Sequence, residues 1–235
     1  GVDATLEALA GFVENRLRFG GLIVAPIVRF ESIDYTRENR LTGARGASDL
    51  DEVIPGIGVN WAFNEDLTLF AGVHEGFAPP RTEDIIDNSG GSVEVDAERS
   101  TNWELGVRGA LGARTTMEAA LFHNDFSNQI AVGSVAGGST PLAQGETLYT
   151  GAELSLNWDG KDLFAGGRPY ATLALTALPT ARQERPFTAV ATGLPVGGSA
   201  DGKRLPYAPR WTATARAGWQ HGPWDVSAEV QSVSE

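Results

Sequence analysis

The chain has 235 residues, no cysteine, 29 glycines and a formal net charge of −12, which excludes a disulfide scaffold and any cysteine-ligated zinc or iron–sulfur centre. The acidic balance, 30 carboxylates against 18 Lys and Arg, argues against nucleic acid as a partner, because that partner requires a basic footprint. No run reaches the roughly 18 consecutive apolar residues of a membrane-crossing helix, so composition alone describes an acidic, glycine-rich chain of one or two domains.

What organises the sequence is alternation at period two, the mark of a strand whose two faces meet different surroundings. Residues 4–18 are compatible with strand or helix, and 22–37 read as strand. In 53–63, Val53, Pro55, Ile57, Val59, Trp61 and Phe63 oppose Gly56, Gly58 and Asn60. In 66–76, Leu67, Leu69, Ala71 and Val73 oppose Thr68, Phe70, Gly72 and His74. Segment 99–110 sets Trp103, Leu105 and Val107 against Asn102, Glu104, Gly106 and Arg108, and 114–126 continues the pattern. The clearest run is 145–158, with Leu148, Thr150, Ala152, Leu154, Leu156 and Trp158 on one face and Tyr149, Gly151, Glu153, Ser155 and Asn157 on the other. Runs at 169–180, 207–219 and 223–234 bring the expected number to about ten strands. Most are longer than the usual strand of about 5–6 residues and match the roughly 9–11 that a tilted strand needs to cross a bilayer.

The connections sharpen this. Tight turns at 19–21, 63–66, 110–114 and 220–223 alternate with long polar stretches near 38–52, 77–98, 127–144 and 181–206, and 159–168 is a short link that has grown. In an antiparallel meander every second connection emerges at the same end, so one rim carries short turns and the other long loops. That asymmetry belongs to an outer-membrane β-barrel, and a soluble sandwich has no reason to sort its loops this way. Trp61, Phe63, Trp158, Trp219 and Trp224 sit at strand ends, where an interfacial girdle would lie. The fold expected is all-β: an antiparallel transmembrane β-barrel segment with short periplasmic turns and long extracellular loops.

Five motifs then resemble, in order, those of TonB-dependent outer-membrane receptors. They are Gly76-Phe77-Ala78-Pro79-Pro80 at a strand end, Glu98 to Arg108 as an E-x-S-x-x-x-E-x-G-x-[KR] strand, and Phe122 to Ile130 as Phe-x-x-Asp-x-x-Asn-Gln-Ile. Gly151-Ala152-Glu153-Leu154 and Pro206 to Arg210 complete the set. The segment His74 to Pro80 followed by Glu83-Asp84 resembles the ferric-dicitrate branch. The resemblance implies a barrel of about 22 strands closed around a plug, of which residues 1–235 supply part. The plug, the TonB-engaging box and the terminal strands are expected to lie elsewhere, since the chain opens on Gly-Val-Asp and ends within an alternating run. It also implies import of a ferric chelate, a siderophore or ferric citrate, energised through TonB, in the outer membrane of a Gram-negative bacterium. The implied partners are the chelate, outer-membrane lipid, and TonB through the missing N-terminal part. No cofactor is implied, iron being carried only within the chelate. A passive porin-like barrel and a secreted β-sandwich binding module are the competing readings.

Three residues are candidates for ligand contact. His74 stands at the base of the loop that Arg81 opens and Arg99 closes, and a guanidinium suits a carboxylate or anionic chelate through paired hydrogen bonds. The alternative is that both arginines pair with carboxylates of that loop, such as Glu83 or Glu98, and that His74 is a wall residue. Arg29 with Glu31, and Glu104 with Arg108, read as charged ladders lining a wet lumen. His74, His123 and His221 are far apart and suggest no metal cluster. Asp84, Asp87 and Asn88 lack EF-hand spacing. The glycine-rich stretches 133–140 and 193–202 lack the Gly-Lys-Ser of a phosphate cradle, and no Ser/His/Asp arrangement suggests an enzyme.

Overall fold

The computed structural model describes residues 1–92, 97–132, 141–161, 166–185, 188–189 and 202–234. In chain order the elements are β1 (Val2–Glu14), β2 (Leu17–Phe19), β3 (Leu22–Asn39), β4 (Ala44–Ala62), β5 (Leu67–Ala78) and the short helix α1 (Thr82–Ile85). They continue with β6 (Glu98–Leu111), β7 (Thr115–Val132), β8 (Pro141–Asp159), β9 (Arg168–Arg185), β10 (Thr188–Ala189), β11 (Trp211–His221) and β12 (Trp224–Val233). Among the described residues the strands form one antiparallel sheet in the order β1-β3-β4-β5-β6-β7-β8-β9-β11-β12, with β2 pairing β3 and β10 pairing β8 beside that path. This is a ten-strand meander, as the alternation predicts, and a single sheet excludes the sandwich. Residues 4–18, compatible with two readings in sequence, are strand. β2 continues β1 in the same register along β3. The interruption falls opposite Pro26, which accepts from the Asn15 N–H at 3.1 Å and has none to return.

The strands reach further than expected. β3, β4, β7, β8 and β9 run to 18 or 19 residues, against 10 in β12. The polar stretch 38–52 is therefore not a long loop: Ala44 to Glu52 pair with β3 up to a tight turn at 40–43. Loop length thus does not alternate strictly. Polar residues such as Asp49 and Asp51 are strand residues projecting beyond the apolar band, where water replaces lipid. Stretches 133–140 and 193–201 lie outside the described residues.

Residues directly opposite in an antiparallel ladder share a face, so the register traces both surfaces. One outer row runs Val59, Ala71, Leu105, Leu121, Ala152, Ala177 and Trp211. At the short-turn rim the same surface carries Phe19, Trp61, Phe63, Trp158, Trp219 and Trp224, with the Trp61 and Phe63 rings edge-to-face at 5.5 Å. The inner face is polar and glycine-rich, and there aromatic rings lie over glycines of the adjoining strand. A Cβ on Gly106 would stand 2.3 Å from Phe70 Cζ, one on Gly151 2.4 Å from Phe122 Cζ, and one on Gly218 2.3 Å from Tyr170 Cζ. Each pair is in direct register, so ring and glycine together pin the pairing, which bare glycine strands would leave loose.

Tight burial is concentrated at one place. Ile33 and Tyr35 of β3 pack with Ile85 and Ile86, bordered by Leu50 and Phe77, so the loop after β5 folds onto the inner face of β3–β4. Pro55 explains how. The β4–β5 ladder ends at Gly56↔His74, and the next β4 group facing β5 belongs to Pro55, which has no N–H. Above that point β5 stays paired only with β6. The outer face of this hairpin, which lower down carries Val73 and Trp103, carries Phe77 and Arg99 at the top. These meet Ile33, Tyr35 and Glu52 on the inner face of β3–β4. The top of the β5–β6 hairpin therefore leans inward across β4.

Candidate functional site

Beneath the leaning hairpin the register assembles an inner row of Gly56, His74, Asn102, Asn124 and Tyr149, one residue from each of β4 to β8. The next row towards the long-loop rim is Gly76, Ser100, Phe126 and Thr147. Asn102 donates to Ser100 Oγ at 2.9 Å, and the Phe126 and Tyr149 rings meet edge-to-face at 5.7 Å. Gly76 leaves room for this: a Cβ there would come within 2.2 Å of Ser100 Oγ. The wall offers amide, hydroxyl and imidazole groups, which can hydrogen-bond to an oxygen-rich ligand. His74 is exposed on it. On the same face of β3, nearer the long-loop rim than this row, Arg29 donates to Glu31 at 2.6 Å. Towards the short-turn rim Arg108 donates to Asn60 Oδ1 at 2.9 Å and lies 5.2 Å from the Phe70 ring centre.

The loop over the wall is held by a mixed seat. Arg37 donates to the Ile86 carbonyl and to Asn88 Oδ1, and Asn39 donates to the Asn88 carbonyl at 3.3 Å. Asp87 Oδ1 accepts from Ser89 N–H, Ser89 Oγ–H and Gly91 N–H, which closes the turn and draws the Asp87 carboxyl below its ordinary pKa. Gly90 has φ +82, and a Cβ there would lie 2.3 Å from the Arg45 carbonyl oxygen, so only glycine fits. Tyr35 is fully buried below this seat, beyond the apolar band. Its hydroxyl finds no partner among the described residues, and burial pushes its pKa up.

The three predicted residues occupy three different places. His74 is on the wall. Arg81 forms a two-bond clamp on Asp84, at 3.1 and 3.2 Å, with Glu83 at 3.4 Å, so it fixes the start of α1. Arg99 is on the opposite face of its hairpin and bridges Glu52 and Glu75, the latter at 3.9 Å. Both arginines pair with carboxylates, and among the described residues the partners of Arg99 come from β4 and β5. Asn102, Asn124 and Tyr149 escaped the sequence reading because alternation gives each strand's faces but not the inter-strand register that aligns them. Among the described residues no group of three or more His, Asp or Glu side chains is placed to hold a metal ion.

The family model for the TonB dependent receptor-like β-barrel matches residues 2–235. The chain belongs to the TonB-dependent receptor β-barrel family. Solved structures with this receptor fold include the ferric citrate transporter FecA in its unliganded form, 23% identical with a TM-score of 0.77, covering 99% of this chain and 33% of FecA. The siderophore receptor PiuA from Acinetobacter baumannii is 16% identical with a TM-score of 0.74, covering 99% of this chain and 34% of PiuA. The copper transporter OprC is 16% identical with a TM-score of 0.69, covering 98% and 35%. The chain thus spans about a third of these proteins, and at such identities the likeness is one of fold. As a TonB-dependent receptor barrel it lies in the Gram-negative outer membrane, with its short turns towards the periplasm and its long loops outside, and its family comprises transporters, not enzymes.

Proposed function

We propose that this barrel segment serves active import of a ferric chelate, a siderophore or ferric citrate, energised through TonB by parts of the receptor outside residues 1–235. The observation that carries the proposal is the hydrogen-bonding wall of His74, Asn102, Asn124 and Tyr149 lying under a loop folded onto the same face. A chelate presents carboxylate, hydroxamate or phenolate oxygens, and hydrogen-bond donors on the wall read such a shell without removing its metal. His74 contacts the chelate directly. Arg81, about half exposed at 51%, keeps guanidinium N–H groups free towards an anionic ligand while tied to its carboxylates, and Arg99 serves the site by latching the hairpin to Glu52.

The test is ferric citrate or hydroxamate siderophore binding to the full-length receptor, followed by calorimetry, with uptake of radiolabelled iron by cells. Asn102→Ala with His74→Ala is expected to weaken binding about tenfold or more, the loss of one or two hydrogen bonds of about 1 kcal/mol each. Unchanged binding removes the wall from recognition. Uptake that persists without an energised inner membrane, together with liposome swelling by small solutes, would favour the passive porin.

A further inference from the structure

The outer face carries a second feature, independent of the chelate reading and resting only on membrane placement. A shallow groove of about 540 Å³ crosses β4 to β8 there. Its two walls are successive outer rows of the ladder: Ile57, Val73 and Trp103 on one side, Val59, Leu105 and Leu121 on the other. Ala71 keeps it open, and its lining is almost wholly apolar. One end differs. His123 Nδ1 lies 2.8 Å from Thr150 Oγ1, and His123 Nε2 has no partner among the described residues. In the tautomer whose Nδ1 accepts from the Thr150 hydroxyl, the one assigned here, Nε2 carries the proton and donates outwards. A free donor on a lipid-facing surface is costly unless something accepts from it.

The groove also has a direction. Its apolar end, Ile57, is five residues from the periplasmic end of β4, whereas Thr150 is nine from that of β8. With a rise of about 3.3 Å per residue and a tilt of about 40°, those ends stand about 13 Å and about 23 Å above the periplasmic rim. The apolar band of such barrels is about 25 Å tall, so the groove climbs through its upper half and delivers its polar end to the outer interface. Two residues beyond His123 the same face bears Asp125, the first outward carboxylate on β7. Trp103, directly opposite His123, is the aromatic expected at that depth.

We propose that this groove binds one lipopolysaccharide molecule of the outer leaflet, an acyl chain lying from Thr150 down to Ile57 and His123 Nε2 donating to a phosphate or ester oxygen of its head. The groove is continuous with the lipid-facing band, its apolar end points into the membrane, and its imidazole sits where acyl chains give way to head groups. A phospholipid of the inner leaflet would need the opposite polarity.

The test is native mass spectrometry of the full-length receptor, delipidated in detergent and titrated with purified lipopolysaccharide or, separately, phosphatidylethanolamine. His123→Leu keeps the face apolar and Ala71→Leu fills the groove. Each is expected to weaken lipopolysaccharide retention about tenfold, the weight of one charge-assisted hydrogen bond or its equivalent in contact. Chelate binding and the heat-modifiable mobility of the folded barrel should stay as in the parent. Retention unchanged in both variants, or equal retention of phosphatidylethanolamine, would overturn the proposal and leave only ordinary boundary lipid.

Discussion

The inward loop offers the sharpest test of the architecture. Ile86 has no exposed surface and Ile85 retains 4%, so each contributes roughly 1.5–3 kcal/mol of burial to the docked loop. Ile86→Ala in a closed core would cost about 2–5 kcal/mol. Here the loop can lift away, so the loss is capped by the net docking energy, and about 2–3 kcal/mol is expected. Gly46→Ala attacks the same seat from the strand side. Its methyl would stand 2.4 Å from Ile86 Cγ2 and 2.7 Å from the Gly90 carbonyl oxygen, an overpacking worth about 1–3 kcal/mol. Hydrogen–deuterium exchange of the full-length receptor reads both. Amides within 84–91, including Ile86 N–H to Thr82 O and Gly90 N–H to Asp87 O, should exchange about 30- to 150-fold faster in Ile86→Ala, while the β3–β4 ladder keeps its protection. Because both changes undock one loop, the double variant should fall short of the sum of the singles. Unchanged exchange in both variants, or simple additivity, would refute a common seat.

Tyr35→Phe removes the one buried hydroxyl without a partner among the described residues and should slow exchange of the same amides several-fold, the release of about 1 kcal/mol of desolvation cost. Gly151→Val places a side chain against the Phe122 ring and the Ala177 carbonyl oxygen, 2.5 Å from the Cβ position. It should lower stability by about 2–4 kcal/mol, read as a loss of heat-modifiable mobility at lower temperature, whereas Gly58→Ala, with open space around it, should be tolerated. At the periplasmic rim, outside the apolar band, the Arg168 guanidinium and the Lys161 N–H hold Asp159 down to a pKa of about 2. A depressed carboxyl stabilises the fold above its unfolded pKa of about 3.9, and that contribution fades as pH falls from about 4 to about 2. Carboxyl NMR should place its midpoint near 2, returning to the ordinary range in Arg168→Met; a midpoint unmoved by that change would remove Arg168 as the cause.

Most of the barrel was legible because period-two alternation is imposed by the strand itself, and Leu154 or Trp103 can be assigned a face from two neighbours. Strand ends were less legible where the outside of the strand is wet. From Ala44 to Glu52 both faces are polar, so the run reads as loop although Arg45 to Asp51 pair residue by residue with β3. The site was half legible. His74 was found as a polar residue on a strand with an apolar face, but Asn102, Asn124 and Tyr149 become its neighbours only through three registers, each fixed by a separate hairpin. The pairing of Arg99 with Glu52 was beyond reach for a different reason. Alternation puts them on opposite faces of the sheet, and only the break at Pro55, which lets one hairpin lean across another, brings them together.

That lean makes His74, Arg81 and Arg99 parts of one mechanical unit although they never converge on a point. β5 carries His74 into the wall, the chain beyond Pro80 carries Arg81 into the lid, and β6 returns with Arg99 to hold the hairpin against Glu52, a carboxylate only 7% exposed. Removing Arg99 leaves that carboxylate desolvated and without its charge partner, a loss of about 1–3 kcal/mol, and the hairpin is released from β4. Arg99→Leu should therefore lower chelate affinity and speed exchange of the lid amides together, although Arg99 faces away from the wall. Arg99→Lys, which keeps the charge but cannot span Glu52 and Glu75 with one planar group, should restore part of both. If Arg99→Leu weakens binding while the lid exchanges at its parental rate, Arg99 acts on the ligand directly and the latch is the wrong account.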